Sequence, residues 1–311
     1  MARKKKGEPV SGWINLDKPA GLTSTQAIGR IRRILNPQKI GHAGTLDPMA
    51  TGILPIAMGE ATKTIPFIQD APKTYSFTAA WGEQRDTDDA EGQVVKTSPK
   101  RPEKKEILDI LPDFTGTVRQ IPPAFSAVKI DGQRAYDLAR SGVNPDVKPR
   151  SVYIESLELT ASRPDEADFR MICGKGTYVR SLVRDMAIKL GTCGHVKNLR
   201  REAVGPLTLN NAISLDLLEQ MDYVAALNEA LLPLQAVLDD IPALPVKQEE
   251  AARLKSGQVL TFISRPDYSR LTREGLGGQE DRQALAVFNG APVALVENRG
   301  PEIRPVRVFN L

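Results

Sequence analysis

Apolar residues recur at helical spacing through LTSTQAIGRIRRILN, where Ala27, Ile28, Ile31, Ile34 and Leu35 form one stripe and Arg30 and Arg33 fall off it. Thr23 or Ser24 stands where an N-cap belongs. GWINLDKPAG, just before, predicts a short strand running into a turn at Pro19–Gly21. The pattern then changes. GHAGTLDPMATGILPIAMGEATK is a glycine-rich loop with a continuous apolar run, GILPIAMG, close behind it. TYSFTAAWG predicts a strand from its β-branched and aromatic residues, and SVYIESLELTAS and DFRMICG do so from period-two alternation. EKKEILDILPDF predicts a short helix after a Pro/Lys-rich linker, and IPPAFSAVKIDGQRAYDLARSG an inserted loop with a DG turn and a short basic helix. In YVRSLVRDMAIKLG, Leu182, Val183, Met186 and Leu190 mark the inward face of a helix that Gly191 stops.

RDTDDAEG predicts a polar turn. It has the density of acids of a calcium loop, but Ala90 takes the fifth position and no glycine follows at the sixth. Near residue 241 the texture shifts again. IPALPV is a proline-marked linker, KQEEAARLKSG a short helix ended by Gly257, and QALAVFNGAPVALVEN a hairpin turning at Asn289–Gly290. Strands and helices are mixed without βαβ regularity. The fold class expected is therefore α+β, with a small, mostly β appendage at the end.

Composition narrows the function classes. At 311 residues, 41% hydrophobic and 26% charged, the chain can bury a core as one large or two ordinary domains. No run of eighteen apolar residues occurs, so no membrane span is expected. MARKKKGEP has a basic start without an apolar stretch behind it, which predicts a solvated tail over residues 1–9 rather than a secretory signal. A cytoplasmic location with reduced Cys173 and Cys193 follows. Two histidines and two cysteines without ligand spacing predict no structural metal. The net charge is only +4, but basic residues cluster in RIRRILNPQK, PKRPEKK, KPR and KNLRR, which favours a nucleic-acid partner.

A P-loop, a dinucleotide fingerprint and a serine nucleophile elbow are all absent, so ATP- or dinucleotide-dependent chemistry is not expected. What remains is Asp47 in GTLDP. Pro48 biases it toward extended geometry, and the flanking glycines let a ligand approach the backbone. Such a loop could hold one carboxylate at the mouth of a pocket floored by the apolar run, or Asp47 could be a turn residue bonding its own backbone. Arg180 weighs on that choice. At the start of a helix it opposes the helix dipole, so it needs another partner, and Asp47 is the natural one. A single ionised aspartate beside an apolar pocket suits covalent or electrostatic work at a glycosidic carbon. Glycoside hydrolysis needs a second carboxylate, and no residue is identified for that part.

GHAGTLDPMATGILPIAMGEATK, KTYSF, IPPAFSAVKIDGQRAYDLAR, and GTYVRSLVRDMAIKLG followed by HVKNLRR together resemble the bacterial tRNA pseudouridine-55 synthases, the TruB family, in family order over roughly residues 10 to 215. The resemblance implies isomerisation of one T-loop uridine of tRNA to pseudouridine, without cofactor or metal. It implies a pseudouridine synthase fold with a mixed, mainly antiparallel central sheet flanked by helices and loops over residues 10–241. A thumb-like insertion at 124–152 and a PUA-like RNA-binding domain at 242–311 complete the expected organisation. Asp47 would be the catalytic aspartate, Tyr75 would stack on the flipped uracil and take part in proton removal, and Arg180 would pair with Asp47. His42, Lys18, Tyr178 and Leu199 would serve substrate binding: His42 at the T-loop, Lys18 in support of the site, Tyr178 and Leu199 around the uridine. The tRNA T-arm is the expected partner of a protein acting as a monomer. Ala43, Phe125 and Ala187 depart from residues common among such relatives, and none of the three removes a charged catalytic group.

Overall fold

The computed structural model describes residues 7–126, 129–130, 133–134, 136, 147–277 and 282–311. Residues 1–6 of the expected tail and residues 127–128, 131–132, 135 and 137–146 of the expected insertion lie outside the described residues.

The chain begins with β1 (Gly12–Lys18), α1 (Ser24–Leu35), β2 (Ile40–His42) and β3 (Thr51–Met58). Thr23 caps α1, its side chain accepting from the Gln26 N–H while the Gln26 side chain reaches back, and Asn36 ends the helix in the left-handed region. Ala27, Ile31 and Leu35 are fully buried, with Ile28 and Ile34 packed beside them, so the stripe read from the periodicity is the core face. The next strands are β4 (Lys73–Trp81), β5 (Glu83–Arg85), β6 (Val94–Thr97) and β7 (Gly116–Gln120), with α2 (Ile65–Asp70) before β4 and α3 (Lys104–Ile110) before β7. Then come β8 (Lys129–Ile130), β9 (Gln133–Arg134), β10 (Arg150–Ser162), β11 (Glu166–Cys173), α4 (Val179–Lys189), β12 (Gly194–Val204), β13 (Leu207–Thr208) and β14 (Ile213–Ser214).

The central sheet runs β14-β1-β3-β12-β4-β11-β10-β7, with β2 added to β3 and β13 to β12. Only the β1–β14 and β3–β12 pairings are parallel, so the sheet is mixed and mainly antiparallel as expected. The apolar run after the Asp47 loop is β3, buried from Gly52 to Met58. Pro55, which lacks an N–H, falls where β3's ladder passes from β12 at Thr51 and Gly52 to β2 at Ile56–Met58. Gly52 is required there: its φ is +101°, and a Cβ would stand 2.1 Å from the Arg201 carbonyl oxygen.

A second sheet follows, built from β15 (Ala243–Pro245), β16 (Leu260–Thr261), β17 (Gln283–Phe288), β18 (Ala291–Arg299) and β19 (Glu302–Val308), in the order β15-β17-β18-β19-β16. Asn289 and Gly290, both at positive φ, make the β17–β18 turn. Leu285, Leu295 and Phe309 of this sheet and its tail pack with Trp13, Ile53 and Val237, so the two sheets share a hydrophobic cluster. Lys63 Nζ reinforces the seam, donating to Val308 O (2.7 Å) and to Glu60 (2.6 Å). Among the described residues no helix is long and apolar enough to cross a membrane.

Candidate active site

The Asp47 loop is held from below by groups that are themselves buried. Ser24, the first residue of α1, accepts from the Leu46 N–H (2.9 Å) and donates to Leu46 O (3.1 Å). Lys18, at the end of β1, is fully buried and donates from Nζ to Pro19 O, Leu22 O and Pro48 O at 2.8, 2.8 and 3.2 Å. Burial lowers its ammonium to about 8, against which the Asp47 charge acts. Arg201 of β12, 2% exposed, donates from Nε to Ile53 O (2.6 Å) and from its other nitrogens to Gly44 O (3.1 Å) and Thr45 O (3.4 Å). Two cations thus neutralise inward-pointing carbonyls on either side of Asp47. Carbonyls buried without such donors would each cost about 1–3 kcal/mol, so this underlay rigidifies a loop that its glycines would otherwise leave free.

Above the loop, Asp47 meets Arg180 in the first turn of α4. Arg180 Nη2 donates to Asp47 Oδ1 at 3.1 Å, and its Nε lies 2.9 Å from Oδ2, close enough for an ion pair though off the line of a hydrogen bond. The arginine side chain is 5% exposed and the aspartate 28%, so the pair is buried on the arginine side and open on the carboxylate side. Arg180 also donates to Thr87 O and Phe125 O, each at 3.0 Å, and has Asp89 Oδ2 3.4 Å from Nη1. The arginine opposes the dipole at a helix start because two carboxylates and two carbonyls surround it.

The cleft in front has a volume of about 1230 Å³. Asp47, Tyr75, Arg180, His42, Tyr178 and Leu199 all line it, so six of the seven expected residues face one space. The seventh, Lys18, does not: it is sealed beneath the loop, and substrate contact gives way to support of the loop backbone. The apolar run does not floor the cleft either. As β3 it is an interior strand, and the cleft wall comes instead from β4, β12 and the α4 approach. Tyr75 of β4 and Arg201 of β12 are register partners, as are Phe77 and Leu199, so one face of that strand pair presents Tyr75, Leu199 and the guanidinium together. Burial pushes the Tyr75 phenol above its usual value, with the nearby Arg201 charge acting the other way. Burial also lowers His42, and Arg201 adds to that effect, so its imidazole is neutral at physiological pH.

Two functional groups escaped the sequence reading. Arg201 belongs to the KNLRR basic cluster, and its two-residue spacing from Leu199 on a strand puts both on one face. Asp89 belongs to the turn between β5 and β6, the polar turn expected at RDTDDAEG. Asp88 and Asp89 are 6% and 3% exposed, turned toward Arg184 and Arg180 respectively. Glu91, also in the cleft lining, is raised by partial burial and by the Asp89 and Asp47 charges. His195 is a buried structural residue bonded at Nδ1 to Glu83 O (3.0 Å), and Lys63 ties the two sheets rather than facing solvent. Cys173 and Cys193 are separate buried thiols.

Comparison with known proteins gives the family. Residues 32–179 match the N-terminal domain of the TruB family pseudouridylate synthases, and residues 180–239 match the tRNA pseudouridylate synthase B C-terminal domain. The tRNA pseudouridine synthase B of Caulobacter sp. (strain K31) is 51% identical over 312 residues, covering 100% of both chains. That of Caulobacter vibrioides is 53% identical over 313 residues, again covering 100% of both. Among solved structures, an H/ACA RNP bound to a substrate RNA containing 2'-deoxyuridine superposes with a TM-score of 0.71 at 21% identity, covering 100% of this chain and 92% of the other. A Cbf5-Nop10-Gar1 complex gives 0.70 at 24%, covering 96% and 85%. These two share the fold with the present chain. The chain belongs to the TruB family of pseudouridylate synthases.

Proposed function

We infer that the chain isomerises the T-loop uridine of tRNA, position 55, to pseudouridine. One observation carries the assignment of roles: a half-open carboxylate, Asp47, ion-paired to a buried Arg180 and set beside Tyr75, Tyr178 and Leu199 in a cleft far larger than one base. A uridine inside a folded loop must leave its stack before its glycosidic bond can be reached, and stacking on Tyr75 offsets part of that loss. Asp47, oriented by Arg180, then assists as the N1–C1′ bond breaks. The uracil turns, C5 joins C1′, the C5 proton leaves and N1 gains one. The atoms balance without a co-reactant. A tyrosine phenol is already protonated at neutral pH and burial raises Tyr75 further, so Tyr75 serves that proton loss as a relay through its hydroxyl rather than as a standing phenolate.

The remaining roles follow the same reading. His42, neutral and on the cleft wall, contacts the T-loop, while Tyr178 and Leu199 close around the uridine. Residues 10–241 form the catalytic domain, 124–152 grip the RNA, and 242–311 serve as a PUA-like RNA-binding domain. The protein works as a cytoplasmic monomer.

Asp47→Asn keeps the side-chain shape and removes the charge. Incubated with an unmodified tRNA transcript, wild type converts position 55, read by carbodiimide labelling and mass spectrometry, with no change in mass and no free uracil. The variant loses conversion by at least about a thousandfold while its tRNA affinity stays near wild type. Persistent conversion refutes the role of Asp47, and release of uracil refutes isomerisation.

A further inference from the structure

β7 ends at Gln120 and β10 begins at Arg150, and the two residues are register partners across the strand pair. Both turn toward the same neighbour. Gln120, 2% exposed, uses its whole amide on the Tyr178 backbone: Nε2 donates to Tyr178 O (3.0 Å), and Oε1 accepts from the Tyr178 N–H (2.8 Å). Arg150 lies over the other end of the residue, its guanidinium carbon 4.9 Å from the centre of the Tyr178 ring. Arg150 Nη2 also donates to Gly176 O. Gly176 sits at φ +84°, and a Cβ there would stand 3.4 Å from Arg150 Nη2, so the loop is drawn closely onto the guanidinium.

The consequence reaches beyond Tyr178. Tyr178 is the N-cap of α4, extended at φ −106°, ψ 115°, and no side chain caps this helix start. Gln120 occupies the Tyr178 N–H and adds a second donor to a carbonyl that already accepts the first helical bond from the Leu182 N–H (3.1 Å). The next residue, Ile121, accepts through its carbonyl from Ser181 Oγ (2.7 Å) and Arg184 Nη2 (2.9 Å). The end of β7 thus docks the turn of α4 that delivers Arg180 to Asp47, while Arg150 fixes the ring that lines the cleft.

We propose that Gln120 and Arg150 form a clamp of two positioning residues, one holding the Tyr178 backbone and the other its ring, which together set the nucleoside wall and the Arg180–Asp47 pair. The proposal rests on the functional reading above. The clamp acts before substrate arrives: a tyrosine already held in one rotamer has no freedom left to lose on binding, and the arginine two residues later inherits its register. Arg150, near the end of the segment assigned above to the RNA, directs its guanidinium to the Tyr178 face and the Gly176 carbonyl.

Single-turnover conversion at saturating enzyme separates positioning from affinity. Gln120→Glu retains the acceptor for the Tyr178 N–H and loses the donor to its carbonyl. Arg150→Met retains bulk and loses the cation. Each slows conversion by about tenfold or more, since a misplacement near 1 Å can cost about a hundredfold, while the filter-binding Kd for tRNA changes by less than about threefold. In a double-mutant cycle, Arg150→Met costs less when added to Tyr178→Leu than when made in wild type, because the ring contact is already gone and only the Gly176 contact remains to lose. Weakened binding with an unchanged single-turnover rate would identify Arg150 as an RNA contact and overturn the clamp, and additive losses in the cycle would overturn it equally. If Arg150→Met does not melt as a folded protein, Arg150→Lys, which keeps the charge but not the planar stack, enters the same cycle with the same expectations. Absence of pseudouridine from wild type itself would strike the functional reading. Wild-type conversion with unaffected variants would strike the clamp alone.

Discussion

Asp47 and Arg180 lie 133 residues apart in the chain and are joined by a hydrogen bond of 3.1 Å and an ion-pair contact of 2.9 Å. The same guanidinium has Asp89 3.4 Å away, so one arginine orients two carboxylates that both line the cleft, Asp47 with the more exposed side chain. A planar fork is needed for that geometry, and a lysine offers a single point of charge. Arg180→Lys is therefore expected to slow conversion by about a hundredfold or more, with tRNA affinity largely kept. Asp89→Asn should produce a smaller rate loss in the same direction. Single-turnover rates beside filter binding measure both, and a variant that loses affinity but not rate would show that Arg180 serves RNA binding instead.

Arg201 makes a prediction of a different kind. Its side chain is buried and satisfies the carbonyls of Gly44, Thr45 and Ile53, the frame of the Asp47 loop. Arg201→Met leaves those oxygens without their charged donor and is expected to destabilise the fold by about 3 kcal/mol. Urea unfolding measures the loss. Conversion should fall further than the unfolded fraction explains, because Arg201 also faces Tyr75 across the strand pair.

Asp88 supplies a pH dependence. Burial raises its carboxyl from 3.8 to about 6, in spite of the Arg184 partner at 3.0 Å. Between those values the folded protein retains a proton that the unfolded chain has released. This group's contribution to stability is thus complete below about 3.8 and is lost as pH rises through about 6. Asn at this position has no such dependence. The stability of Asp88→Asn relative to wild type should move in the variant's favour from pH 4 to pH 7, followed by urea unfolding at intermediate values. Movement in wild type's favour would mean that the Arg184 attraction outweighs burial.

Lys63 joins the two sheets. It donates to Val308 O and Glu60, and Glu60 in turn accepts from the Asn310 N–H at 2.9 Å. Lys63→Met should cost about 1 kcal/mol and leave the last strand more open to proteolysis, detected by limited digestion and mass mapping of the C-terminal fragment. Equal digestion of both proteins would assign the seam to its apolar cluster alone.

Much of this molecule follows from local patterns. The α1 stripe, its Thr23 cap, the Asn289–Gly290 hairpin and the alternating strands are set by contacts two to four residues apart, and a sequence displays such contacts directly. Even the Asp47–Arg180 pair was legible, because an arginine at a helix start needs a partner and the chain offered a constrained acid. Tertiary structure alone decided the fate of the other charges. Lys18, Arg201, Asp88 and Asp89 sit in stretches that read as turns, motif supports or basic clusters, yet all four are buried. Whether a charge is solvated or sealed depends on which distant carbonyls and charges meet it, and that is known only once β12 lies against β4 and the β5–β6 turn packs on α4. The glycine-rich loop carried its reactive group in the sequence, and packing alone provided the two buried cations that hold it still.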